Sequence, residues 1–167
     1  MTRFRQLPIS LRTLGQDDWQ LWRTLRLQAL AEAPYAFSSK LADWQGDGDT
    51  EVRWRSRVST VPLNIVAELN GQAAGMVSAT APNTDRAVEL ISMWVAPFAR
   101  GRGVGDSLVG AVLIWAQQQQ ASRVSLAVFE GNEPAMALYR RHGFLDRGRI
   151  AESCEGLPPE RQMVRDL

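Results

Sequence analysis

The stretch from Ala87 to Phe129 constrains the fold of this 167-residue chain more than any other. It opens with AVELISMWVA, reaches Pro97, turns through ARGRGVGDSLVG over 99–110 and closes with SRVSLAVF over 122–129. Proline has no N–H to give a ladder, so the first run must leave the sheet at Pro97. From Val104 to Gln120, Val104, Leu108, Val112 and Trp115 recur on one helical face, with Val109 and Leu113 beside them. Strand, helix and strand in this order make a β-α-β unit, whose two strands lie parallel.

The rest of the chain must be built around that unit. Leu7 to Leu14 alternates as a strand, and Asp17 or Asp18 can cap a helix carrying Trp22, Leu25 and Ala29 on one face. Between Ala33 and Thr60, Tyr35, Phe37, Trp44 and Trp54 are scattered among glycines and aspartates, around a short helix at Val52 to Val58. This reads as a loop and helix lying over a core. Asn70-Gly71 sits between two strand-like runs, Leu63 to Leu69 and Gln72 to Ala81, and marks a tight antiparallel hairpin. Asn132 can cap a helix over Glu133 to His142, with Pro134 in its first turn and Gly143 just past its end. Leu145 to Glu152 and Arg161 to Leu167 complete the strands. The predicted order β-α-α-β-β-β-α-β-α-β-β is a mixed α+β sandwich in one domain spanning 1–167, a size that one core serves.

Composition excludes several function classes. With 19 basic and 18 acidic side chains, the net field favours neither nucleic acid nor an anionic membrane, so a bound anion needs a local site. Cys154 is the single cysteine and His142 the single histidine, which argues against a disulfide and against a metal cluster. The expected home is the reducing cytosol. No run of about 18 apolar residues occurs, and no export signal is read at the N-terminus.

The chemistry lies in 99–110. Gly101, Gly103 and Gly105 keep side chains off the backbone so that several N–H groups can converge on one ligand, and the first helical turn adds unpaired donors and the positive end of a dipole. Together these suit a pyrophosphate, with Arg100 and Arg102 supplying charge, although a tight turn alone also needs glycine. The phosphate-loop pattern requires Lys and then Ser or Thr after its last glycine, whereas Asp106 follows Gly105. The dinucleotide fingerprint fails as well, because Asp106 takes its final glycine position.

Arg100, Gly103 and Gly105 instead match Arg/Gln-x-x-Gly-x-Gly/Ala, and here the chain resembles the GCN5-related N-acetyltransferase (GNAT) superfamily. Val95 and Pro97 before the motif, and NEPAMALYRRHGF over 132–144, extend the likeness to about 88–144. The resemblance implies acetyl-coenzyme A in a V-shaped gap between the strands ending near Pro97 and Phe129. Its pyrophosphate would lie on Arg100, Gly101, Arg102, Gly103, Val104, Gly105, Asp106 and Ser107. Its pantetheine arm would pair with the backbone of Met93, Trp94 and Val95, and the Val95 N–H would polarise the thioester carbonyl.

The same resemblance makes Tyr139 the acid that protonates the leaving thiolate, where the bland alternative is an aromatic packing on the sheet. It makes Asn132 a pantetheine contact, a role that competes with helix capping. The resemblance makes Glu89 the candidate base for the attacking amine, since it lies eleven residues before Arg100, where some members carry their glutamate; alternation puts it on one strand face with Ile91, Met93 and Val95, and burial would raise its pKa. A water chain is the other route. His142 is read as a helix-end residue and Cys154 as an inert loop thiol. The implied reaction is acetyl transfer to a primary amine, that of a small molecule or of a protein N-terminus or lysine. Its rival is a non-catalytic acyl-CoA sensor. Tyr35, Phe37, Trp44 and Trp54 fall where the family builds its acceptor pocket, and relatives are often homodimers joined through edge strands.

Overall fold

The computed structural model describes residues 8–151 and 156–167. Within them, one seven-stranded sheet runs in the order β1-β2-β3-β4-β5-β7-β6. Its strands are β1 (Ile9–Thr13), β2 (Leu63–Leu69), β3 (Gln72–Ala79), β4 (Ala87–Val95), β5 (Arg123–Phe129), β6 (Leu145–Arg149) and β7 (Glu160–Asp166). The helices are α1 (Trp19–Glu32), α2 (Glu51–Thr60), α3 (Val104–Gln118) and α4 (Glu133–Arg141). Every neighbouring strand pair is antiparallel except β4 and β5, which are parallel, as the β-α-β reading requires. No helix among these residues is long and apolar enough to cross a membrane. The Cys154 reading lies outside the described residues.

Alternation along the strands divides the core between the two sheet faces. Ile65, Val77, Val88 and Leu90 pack with Leu108, Val112 and Met136 on the α3/α4 face. Val66, Met76 and Trp94 pack with Trp22, Leu25 and Trp54 on the α1/α2 face. The hairpin turns through Asn70 and Gly71, both at positive φ (54° and 79°), which is the geometry an Asn-Gly pair favours. Asp18 precedes α1 but does not cap it through its side chain. Its carboxylate accepts from Arg12 and from the Gly15 N–H instead.

Two local departures from the sequence reading shape the site. The parallel ladder between β4 and β5 covers only Ala87–Arg123, Val88–Val124 and Glu89–Ser125, so the strands part well before Pro97. The cause is a bulge in β4: the β3 partner shifts between Met76 and Ser78, and Ser92 takes φ 55°. An extra residue bends its strand and reverses the alternation beyond it. Glu89 and Ile91 therefore face α1/α2, whereas Met93 and Val95 join the α3/α4 core, so the four do not share one face.

Candidate active site

Between the parted strands lies a cavity of about 1130 Å³, larger than the roughly 300–1,000 Å³ that usually holds one small ligand. It has room for a long cosubstrate and a second molecule. β4, β5, the 99–106 turn and α4 wall one end, and aromatic side chains beneath α1 and α2 wall the other.

The glycines of the turn serve different ends. Gly101 and Gly103 hold φ of 74° and 87°, which side chains resist, whereas Gly105 is needed for space, because a Cβ there would lie 3.1 Å from Leu138 on α4. Gly103 is the N-cap of α3 and has no side chain to cap it. The first bond inside the helix runs from the Ser107 N–H to the Gly103 carbonyl at 3.0 Å, so the amides of Val104, Gly105 and Asp106 lack helical partners. Such a row of donors at a helix start suits an anion.

The charged residues of the turn divide their work too. Arg100 donates to Glu32 Oε2 at 2.7 Å and to the Val95 carbonyl at 3.1 Å, and Glu32 also accepts from Trp94 Nε1 at 2.9 Å. Arg100 thus fastens the end of β4 to α1, and its hydrogen bond holds the Glu32 carboxyl below its ordinary pKa, against partial burial and with help from Trp94. Arg102 is exposed and makes no ion pair among the described residues. Asp106 lies 2.9 Å from His142 Nε2 and 3.2 Å from Arg141 Nη2, tying α3 to α4. Partial burial works to raise its pKa, and the bonds from His142 and Arg141 together hold it low. His142 is thereby a brace between helices, in keeping with its helix-end reading.

The Ala96 N–H bonds the Ala74 carbonyl on β3 at 2.8 Å. By alternation the Val95 N–H points the other way, toward the gap. Tyr139 of α4 lines the cavity at 6% exposure, its ring 5.8 Å from that of Phe144. Burial pushes its phenol above the ordinary value, so it keeps its proton at neutral pH. Asn132 caps α4 through a long 3.4 Å bond from the Ala135 N–H while also lining the cavity. Glu89 lines the opposite wall and stays solvent-accessible. Partial desolvation, followed by the charge of Glu160, raises its carboxyl above the usual range.

Sequence reading missed Arg26, Arg57, Ser92 and Glu160, all of which line this cavity. Arg26 was findable, because it follows Trp22 by four residues and precedes Ala29 and Leu30 on the apolar face of α1. Arg57 follows Trp54 by three. Its guanidinium donates to Asn64 Oδ1 (3.0 Å), Ser78 Oγ (3.2 Å) and Ser92 Oγ (3.1 Å), and so supports the bulge from below. The aromatic segment forms a lid: Trp44 and Trp54 stack at 4.4 Å, Arg53 lies 3.8 Å over Trp44, and Trp54 Nε1 donates to Asp49 at 2.8 Å.

Comparison with known proteins agrees with this architecture. Residues 22–144 match the model of the acetyltransferase (GNAT) family. A mycothiol acetyltransferase from Salinispora tropica is 31% identical over 134 residues, which cover 78% of this chain and 42% of that protein. The chain thus spans less than half the length of that relative. Among solved structures, a GCN5-related N-acetyltransferase from Kribbella flavida superposes with a TM-score of 0.75 at 22% identity, covering 95% of this chain and 98% of that one. A putative acetyltransferase from Salmonella typhimurium, solved with its cofactor acetyl-CoA, gives 0.75 at 18% identity over 96% and 94% of the two chains. At such identities the structures speak to the fold, and the family model speaks to descent. The protein belongs to the acetyltransferase (GNAT) family.

Proposed function

We propose that the protein is an N-acetyltransferase that moves an acetyl group from acetyl-coenzyme A to the primary amine of a small molecule, by direct attack in a ternary complex. The observation that carries this reading is the open gap between β4 and β5, which has unpaired α3 amides at one end and a protonated tyrosine beside it. Family membership and the mycothiol acetyltransferase among its relatives support it.

Acetyl-coenzyme A supplies an activated thioester. The amides of Val104, Gly105 and Asp106 hold its pyrophosphate, joined by Arg102, while the backbone of Met93 to Val95 and the side chain of Asn132 align the pantetheine arm. The Val95 N–H steadies negative charge on the carbonyl oxygen as the amine attacks. Glu89, on the acceptor side of the bulge, takes the ammonium proton, directly or through a water. Tyr139, on the other side, gives a proton to the departing sulfur. On this reading the proton acceptor and the proton donor act from opposite faces of the sheet.

Thiol release from acetyl-coenzyme A across a panel of amines tests the reading. Amine-dependent release is expected, and tight coenzyme binding with no release from any amine would establish a sensor instead. Because Glu89 must lose its proton to act and its pKa is raised, kcat/KM is expected to climb with pH through a midpoint above about 4.3, the ordinary glutamate value. Glu89→Gln should lower the rate and remove that limb from the pH profile. A profile unchanged by the substitution would assign the proton to water alone.

Gly103→Val probes the other end. It forces a β-branched side chain into a left-handed conformation, a strain of about 1–3 kcal/mol, beside the free amides. Calorimetry should show coenzyme A binding weakened by roughly tenfold or more.

A further inference from the structure

The charges lining the cavity do not balance locally. Asp106 is paired with Arg141 and His142, and Glu130 with Arg149 and Arg161. Arg26 and Arg57, on the α1/α2 wall, form no ion pair among the described residues, nor do Glu89 and Glu160 near the sheet. Arg57 has only the neutral partners Asn64, Ser78 and Ser92. Arg26 is 8% exposed, and its buried Nη1 has no hydrogen-bond partner among the described residues.

A buried guanidinium with an unused donor is costly, and a second guanidinium within its field makes it more so. Burial, and then the nearby positive charge of Arg57, lowers the pKa of Arg26 to about 10. Stacking offsets part of the cost: Arg26 lies 4.6 Å over the Phe37 ring and Arg57 5.0 Å over Trp22. Flat rings also fix each guanidinium in place on the cavity wall. What would satisfy them is an acceptor-borne anion with two or more oxygens.

We propose that Arg26 and Arg57 form an anion clasp in the acceptor half of the cavity, so that the amine acetylated is that of a zwitterion of the amino-acid kind. Its acidic group is held by the two guanidiniums and its ammonium lies toward Glu89 and Glu160. The acidic group is a carboxylate or another compact oxyanion such as a phosphinate. The opposed pairs of unbalanced charge select such a molecule over a simple polyamine, which would bring cations to Arg26 and Arg57, and over a neutral amine, which would leave them unpaired.

The reaction assigned to this molecule rests on the acetyl-transfer reading, but its binding does not, and the test reads binding. Amino acids, their α-carboxamides and the corresponding decarboxylated amines are titrated calorimetrically into the protein, with and without free coenzyme A. Loss of the carboxylate is expected to weaken binding roughly ten- to a hundredfold, the range of a charge-assisted hydrogen bond. Arg26→Gln, checked for retained coenzyme A binding, should abolish the preference for acids while leaving the amides unaffected. The acid-against-amide comparison needs no variant, so it decides the matter even where Arg26→Gln does not fold. Equal binding of acids and amides would overturn the clasp, as would a folded Arg26→Gln that keeps the preference. Acid-selective binding without thiol release would keep the clasp and overturn acetyl transfer.

Discussion

Tyr139→Phe should lower kcat by about a hundredfold or more, the usual range for a lost general acid, with coenzyme A affinity and thermal stability nearly unchanged. The phenol ring packs against Phe144 and is buried among apolar neighbours, and phenylalanine keeps those contacts. Only the hydroxyl is lost. Burial raises the phenol pKa, which at first sight makes it a reluctant donor. The same dry surroundings also disfavour a free thiolate, so the departing sulfur becomes a stronger base as the phenol becomes a weaker acid. Rates from thiol release, affinity from calorimetry and melting temperature separate the outcomes. A fall in kcat below about threefold would place Tyr139 in the core and leave the proton to water.

Trp54→Ala should cost about 3–5 kcal/mol of stability, the range for deleting a buried large aromatic, a sizeable share of the 5–15 kcal/mol that holds a typical domain together. Trp54 is fully buried, stacks on Trp44 and donates to Asp49, so the change hollows the lid and unties α2 from the chain before it. Denaturant midpoints measure it. Trp54→Phe, which keeps most of the volume and loses the N–H, should lose only a fraction as much.

Asp49 adds a pH signature to the same lid. The bonds from Arg23, then from Trp54, hold its carboxyl down at about 2. Its folded pKa lies below the unfolded one of about 3.9, so its contribution is complete above that value and is lost as pH falls toward 2. Trp54→Phe should shrink this acid-dependent loss.

Much of the fold was legible in the chain. The period of Val104, Leu108 and Val112 marks α3, Asn70-Gly71 marks the hairpin, and the crossover rule makes β4 and β5 parallel. Their parting was anticipated, but at the wrong place and for the wrong reason. Pro97 was the visible breaker, whereas the bulge falls on Ser92, a residue whose type gives no hint of positive φ. Missing it also misassigned the faces of Met93 and Val95, since alternation carries through only where no residue is extra. Arg100 was read as a phosphate ligand from its place in the motif, while Glu32, distant in sequence, engages its guanidinium. Arg26 and Arg57 were not singled out, and although Arg26 falls on the apolar face of its helix, only tertiary packing shows that no carboxylate among the described residues meets either one.

The kink at Ser92 has a consequence for how such a chain can change. A single strand there serves both sheet faces of the cavity: before the kink Glu89 and Ile91 face α1/α2, and after it Met93 and Val95 turn toward α3. Under the proposed function, substitutions at Ile91 would retune which molecule is accepted while the stretch at Met93 and Val95 is left alone.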